Sequence, residues 1–335
     1  AEACAPRIRP ENVPFAPAPE SGWVGRTLRK MTLEEKVGQL IAVRFSGVFR
    51  NEEDEELRAV EDLIVRKKVG AVIIFGGEAY ETAYVLNRLQ RLERGAGNQI
   101  TGATLFPPLM SLGAAGSEAV AREMGRVTAV EGRALGIHMT YAPVVDVNIN
   151  PENPIINTRS VGEDPELVSR IAAAFIAGVQ GAGMIATAKH FPGHGDTSED
   201  SHSLLPTITA DRDRLEKVEL YPFRRAVEAG VGAVMTAHLY VPALDPEPGL
   251  PATLSEPVIS GLLRRRLGFK GLIVSDALEM RGITDSFPPE EAALRALQAG
   301  VDMLLLPLEP EKVADALVRA VREGRVSETR INESV

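Results

Sequence analysis

The chain is poor in several things, and each shortage excludes a class of protein. Of its 335 residues one is cysteine, Cys4, which rules out a disulfide framework and any cysteine-based zinc cage. Basic residues are outnumbered, 37 Lys+Arg against 46 Asp+Glu for a net charge of −9. A binder of nucleic acid or of an anionic membrane needs the opposite, a basic face. No apolar run comes near the roughly 18 residues of a membrane span, and no internal repeat of solenoid length is evident. What remains is ordinary for a globular chain, 44% hydrophobic and 25% charged. That length suits one large α/β barrel or two smaller domains. The expectation is a soluble α/β enzyme.

Residues 1–19 are rich in Ala and Pro (Pro6, Pro10, Pro14, Pro17, Pro19) and read as a flexible leader. From Thr32 onward short apolar runs alternate with amphipathic helical stretches. Thr32-Leu-Glu-Glu35 is a capping box that opens the first helix. Ser117 to Leu135 predicts a helix stopped at Gly136. Asp164-Pro165 is an N-cap with Pro at the first helical position, followed by a stripe of Leu167, Ile171 and Phe175. The strand candidates are 40–45, 69–75, 137–145, 184–191, 233–240, 272–276 and 301–306. Each precedes a helical pattern, which implies parallel strands joined by crossovers.

Eight such units close a (β/α)8 TIM-like barrel, so the third strand is missing from the count. The gap falls where the helical stretch 85–92 runs directly into Glu93-Arg-Gly-Ala-Gly97. An open seven-stranded barrel would expose a raw edge, which favours a segment left out of this chain. The last residues, from Arg325 to Val335, stop in the first turns of a helix and leave room for native chain beyond. Residues 20–335 are thus expected to be one barrel, cut short at the C-terminus.

In such a barrel the chemistry sits at the carboxyl ends of the strands. Four apolar runs end in charged residues: Asp146, Lys189-His190, His238 and Asp276. Isolated charges there are expensive unless they face a cleft, so four on separate strands point to a shared site. Three of the five histidines, His190, His194 and His202, crowd the Gly-rich segment after Lys189. A metal site could use them with Asp196 or Asp200. Acid–base work could instead use one histidine beside a carboxylate, as in Asp200-Ser-His202. Loop capping by polar side chains is the plain alternative.

Lys189-His-Phe-Pro-Gly-His-Gly195, then Asp200-Ser-His202 and Pro206, resembles the motif of family 3 glycoside hydrolases of the β-N-acetylhexosaminidase branch. Supporting blocks stand in the right order: Ala142-Pro-Val-Val-Asp-Val147, Arg159-Ser-Val-Gly-Glu-Asp-Pro165, Met235-Thr-Ala-His238 and Ile273-Val-Ser-Asp-Ala-Leu-Glu-Met280. The similarity runs from about Met31 to Ile331. It implies a (β/α)8 barrel that removes terminal β-linked N-acetylglucosamine with retention, through a covalent glycosyl-enzyme and without a cofactor or metal. Asp276 matches the nucleophile, His202 the acid/base and Asp200 its partner. Arg159, Lys189 and His190 match sugar-binding positions. Asp146 and His238 would line the pocket or brace it, His194 would brace its loop, and His138 would be a core residue.

One departure stands out. The family's third strand ends in a sugar-binding Asp two residues before a Glu. Here Glu93, counted with the sugar-binding residues, fits the Glu, but Arg91 stands at the Asp position. A sugar-binding Arg of the family would align near Gln99.

The low aromatic content, 5% with one Trp, fits a pocket for one sugar better than a groove of stacking rings. The expected partner is a small N-acetylglucosamine-containing carbohydrate, such as a peptidoglycan fragment or other short amino-sugar chain. Three other readings remain open: a phosphorylase on the same scaffold, a metal-dependent hydrolase using the histidine cluster, and a catalytically dead sugar-binding relative. The Pro-rich leader leans toward an exported or periplasmic protein, while the branch also has cytoplasmic members. Compartment and oligomeric state stay undetermined.

Overall fold

The computed structural model describes residues 22–48, 51, 54–92, 103–201 and 203–335. The leader at 1–19 lies outside them. The first half runs α1 (Trp23–Leu28), α2 (Leu33–Gln39), β1 (Ile41–Phe45), α3 (Glu55–Lys67), β2 (Ala71–Ile74), α4 (Ala79–Leu92), α5 (Met110–Ala115), α6 (Glu118–Ala134) and β3 (Met139–Thr140). Then come α7 (Pro165–Gly181), β4 (Ile185–Phe191), α8 (Arg212–Lys217), α9 (Tyr221–Glu228), β5 (Ala233–Thr236), a π-helix (Pro257–Arg266) and β6 (Leu272–Val274). The rest is α10 (Arg281–Thr284), α11 (Pro289–Ala299), β7 (Leu304–Leu305), α12 (Pro310–Arg322) and α13 (Glu328–Ser334).

Local sequence sets many of these boundaries. Thr32 and Glu35 cap α2 reciprocally, each side chain meeting the other's backbone N–H. Ser117 caps α6 and Asp164 caps α7, where Pro165 occupies a position whose N–H would go unpaired in any case. The apolar face of α7 is buried, Ile171 and Phe175 included. Helices α6 and α7 approach closely because both are glycine at the contact. A Cβ on Gly178 would stand 2.0 Å from the Arg122 carbonyl oxygen, and one on Gly125 would stand 2.4 Å from that of Phe175.

All strand pairs are parallel and fall into two sheets, β2-β1-β7 and β3-β4-β5-β6. A single parallel bridge between Val274 and Met303 joins β6 to β7. The strands therefore follow one another in the order 2-1-7-6-5-4-3, with β2 and β3 at the ends. Between those ends the chain forms α4, α5 and α6 and no strand among the described residues; 93–102, where the sequence count falls short, lie outside them.

The fold is TIM-barrel-like α/β. Strand side chains alternate between two faces, and two apolar clusters result. The large one lies between strands and helices. The small one, with Ala42, Ala71, Ile73, Met235, Val274 and Leu305, fills the space the strands surround. At the N-terminal end of β7 the buried Asp302 accepts hydrogen bonds from the Ile273 N–H, Arg264, Arg330 and Ser334. One carboxylate thus ties α13 and the π-helix to the strand ends.

Candidate active site

Every described strand sends a residue, from the strand or just past it, into one pocket. Arg44 comes from β1, Ile73 from β2, Tyr141 from the end of β3, and Lys189 with His190 from β4. Met235 comes from β5, Asp276 from just past β6 and Leu305 from β7. The pocket measures about 800 Å³ out to its mouth, open solvent included. Parity explains which residues reach it. Ala42 and Val274 lie in the interior cluster, so Arg44 and Asp276, two positions further along, face the same way at the carboxyl end.

Lys189 and His190 are neighbours, and simple alternation would send one of them outward. The pairing of β4 with β5 shifts register between Ala188 and Phe191, so that three steps on β4 match two on β5. This bulge turns both residues toward the pocket.

Asp146 anchors this corner. It has no solvent exposure, and it accepts the backbone N–H of His190 at 3.1 Å and of His194 at 2.7 Å, with His190 Nδ1 at 2.7 Å from Oδ2. Burial pushes its carboxyl up. The His190 imidazole, the His194 imidazole and the His194 amide outweigh that and hold its pKa below the ordinary carboxylate value. Burial also lowers His190, against the pull of Asp146, so its imidazole is neutral at pH 7. An ionised Asp146 only accepts, so Nδ1 carries the ring proton. Nε2 is then the acceptor facing Arg159 Nη2 at 3.3 Å.

The nucleophile candidate stands in the same field. Burial pushes Asp276 up, but His190, His238, the Ala277 amide and Lys189 bring it below the ordinary value. Oδ1 accepts the Ala277 N–H at 2.8 Å, and Oδ2 has no hydrogen-bond partner among the described residues. Lys189 is lowered to about 8, by burial first and then by the charge of Arg159, with Asp276 and Asp146 opposing.

The two remaining described histidines near the pocket are committed to the scaffold. His194 pairs Nδ1 with Thr197 Oγ1 at 2.8 Å and Nε2 with Ser201 Oγ at 2.9 Å. His238 pairs with Thr253 Oγ1 and the Ala277 carbonyl oxygen. A Cβ on Gly195 would stand 1.8 Å from the Val147 carbonyl oxygen, so only glycine lets this loop lie against the end of the β3 region. Among the described residues no group of three or more His, Cys, Asp or Glu is placed to hold a metal ion.

Of the residues singled out in the sequence, Asp146, Arg159, Lys189, His190 and Asp276 come together. Asp200 is half-buried beside the pocket-lining Ser201. His202, Glu93 and Gln99 lie outside the described residues, and Arg91 falls in α4. Sequence reasoning passed over Arg44, Phe75, Tyr141 and Glu279, which also line the pocket. Arg44 was detectable: it is the one charge in the apolar run 40–45.

A strand-end pocket that brings together a free carboxylate oxygen, a buried ammonium and an imidazole marks the active site of a barrel enzyme. Comparison with known proteins narrows the class. Residues 32–335 match the glycosyl hydrolase family 3 N-terminal domain, and the chain belongs to that family. It is 35% identical to β-hexosaminidase A of Pseudoalteromonas piscicida over 76% of this chain and 48% of that one. The structure of a family 3 β-N-acetylglucosaminidase from Paenibacillus sp. str. FPU-7 superposes with a TM-score of 0.85 at 42% identity, covering 91% of this chain and 61% of the other. A β-glucoside phosphorylase superposes with a TM-score of 0.86 at 31% identity, covering 93% and 58%. The chain spans about half the length of the Pseudoalteromonas relative and about three-fifths of the Paenibacillus chain. No described helix is long and apolar enough to cross a membrane.

Proposed function

We propose that residues 20–335 form the catalytic barrel of a retaining exo-β-N-acetylglucosaminidase acting on short amino-sugar chains, peptidoglycan fragments among them. The observation that carries the reading is Asp276: ionised, facing the pocket, with one oxygen fixed by a backbone amide and the other unengaged among the described residues. In the proposed reaction Oδ2 attacks the anomeric carbon while the glycosidic C–O bond breaks. The leaving oxygen takes a proton from His202, oriented by Asp200. Water then attacks the glycosyl ester, passes its proton to His202 and releases the Asp276 carboxylate. Lys189 and Arg159 hold the hydroxyls of the transferred sugar by charged hydrogen bonds, and His190, the third sugar-binding position, orients Arg159 through Nε2 until a hydroxyl takes that place.

The test is release of nitrophenol from the β-N-acetylglucosaminide, with the matched β-glucoside as control. Turnover of the acetamido sugar alone is expected, and His202→Ala should slow it strongly. An unchanged rate in His202→Ala moves the acid/base role elsewhere. A folded protein that turns over neither glycoside overturns the enzyme reading. Likeness to the phosphorylase supports a second reading, for which turnover would depend on added phosphate.

Lys189 gives the alkaline side of the pH profile its sign. The charged form is the protonated one, so binding strength is present below about pH 8 and lost as pH rises through it. kcat/KM is expected to fall above that pH. Lys189→Arg, whose cation does not titrate in this range, should move the fall to higher pH.

A further inference from the structure

The pocket has a second wall, and the steps above use none of it. Around the strands, β2, β1, β7 and β6 stand together on one side and β4 and β3 on the other. Arg44 on β1, Phe75 just past β2 and Glu279 in the turn after Asp276 line the first side. Lys189, His190 and Arg159 line the second. Sequence places the three first-side residues far apart; only the ring order makes them neighbours.

They fix one another. The Arg44 guanidinium lies over the Phe75 ring, 4.6 Å from its centroid, and Nη2 donates to Glu279 Oε1. The pair is half-exposed, 48% for Arg44 and 31% for Glu279, which makes it worth little to stability. The Glu279 bond engages one of the guanidinium's several N–H groups. Among the described residues its other donors and Glu279 Oε2 have no hydrogen-bond partner. What this wall offers the pocket is a fixed donor edge, a fixed acceptor and a half-exposed ring.

We infer that this wall is a subsite for a second, neutral sugar, the one that leaves with the glycosidic oxygen. The inference rests on the glycosidase reading, because that reading assigns the opposite wall to the transferred sugar. A hydroxyl both donates and accepts, so a sugar ring satisfies a guanidinium–carboxylate pair on both counts. An anionic substituent does not, so the wall favours neutral amino-sugar chains over peptidoglycan fragments, whose leaving sugar bears a lactyl carboxylate. Any carboxylate that reaches Arg44 also meets Glu279 in the same ion pair, and the repulsion offsets the attraction.

The experiment compares kcat/KM on the β-1,4-linked disaccharide of N-acetylglucosamine with that on the nitrophenyl glycoside, in wild type, Arg44→Gln and Glu279→Gln. In both variants the disaccharide-to-nitrophenyl ratio should fall about tenfold through KM, the effect of one hydrogen bond to a charged group. Glu279→Gln should also raise kcat/KM on a disaccharide whose leaving sugar bears a carboxylate. A ratio that stays constant in both variants, with unfolding unchanged, overturns the subsite. A wild-type preference for the carboxylate-bearing sugar overturns its neutrality. Failure on the nitrophenyl glycoside itself would instead sink the glycosidase reading beneath it.

Discussion

Asp276→Ala should lower turnover of the nitrophenyl β-N-acetylglucosaminide by roughly four orders of magnitude or more, the scale on which enzymes lose a covalent nucleophile. The fold should survive, because the side chain's one hydrogen bond among the described residues is local, to the next amide. Its neighbours favour the ionised carboxylate over the protonated one, so the variant should be somewhat less stable while remaining folded. A small anion such as azide should restore part of the rate by attacking the anomeric carbon from the vacated space, releasing nitrophenol and a glycosyl azide. Rescue separates loss of a nucleophile from loss of a sugar contact. Wild-type activity in Asp276→Ala would end the mechanism.

Asp146→Ala is expected to destabilise the protein by about 3–5 kcal/mol, the usual result of removing one partner from a buried charged network. Two buried backbone amides and the His190 ring proton would lose their acceptor at once. The pH dependence has a definite sign. The carboxyl's folded pKa lies below its unfolded value near 3.8. Its contribution is therefore complete above that value and lost as pH falls through the lower folded one. Urea unfolding at neutral and acidic pH measures both. The gap between wild type and variant should be widest at pH 7 and narrow in acid; a gap independent of pH would assign the cost to lost packing.

The seven strands were legible because each is a short apolar run bounded by polar turns, and α2, α6 and α7 because their caps are written in the sequence. Precision failed where backbone chemistry intervened. The run 137–145 reads as one strand, yet regular pairing covers Met139–Thr140 and resumes only as a bridge at Val144, since Pro143 has no N–H to give a ladder. At the site, Asp276, Asp146 and Lys189-His190 announced themselves as charges ending apolar runs. That Lys189 and His190 share one pocket depends on a bulge, and alternation alone argues against it. Phe75 and Glu279 carried no signal of their own; Phe75 meets Arg44 through the β1–β2 pairing, and Glu279 reaches it only once β7 lies between β1 and β6.

That placement of β7 also sets a clock. Synthesis delivers β1 and β2 first, then β3 through β6, and β7 after all of them. By backbone pairing among the described residues, the two sheets meet only at the β6–β7 edge. Arg44 and Phe75 ride with one sheet, Lys189, His190 and Asp276 with the other. A chain made only as far as β6 lacks the strand that pairs with both sheets, and long-range closure of that kind is slow. Among the described residues, the two halves of the wall are paired through a strand two residues long, the last of the seven to be made.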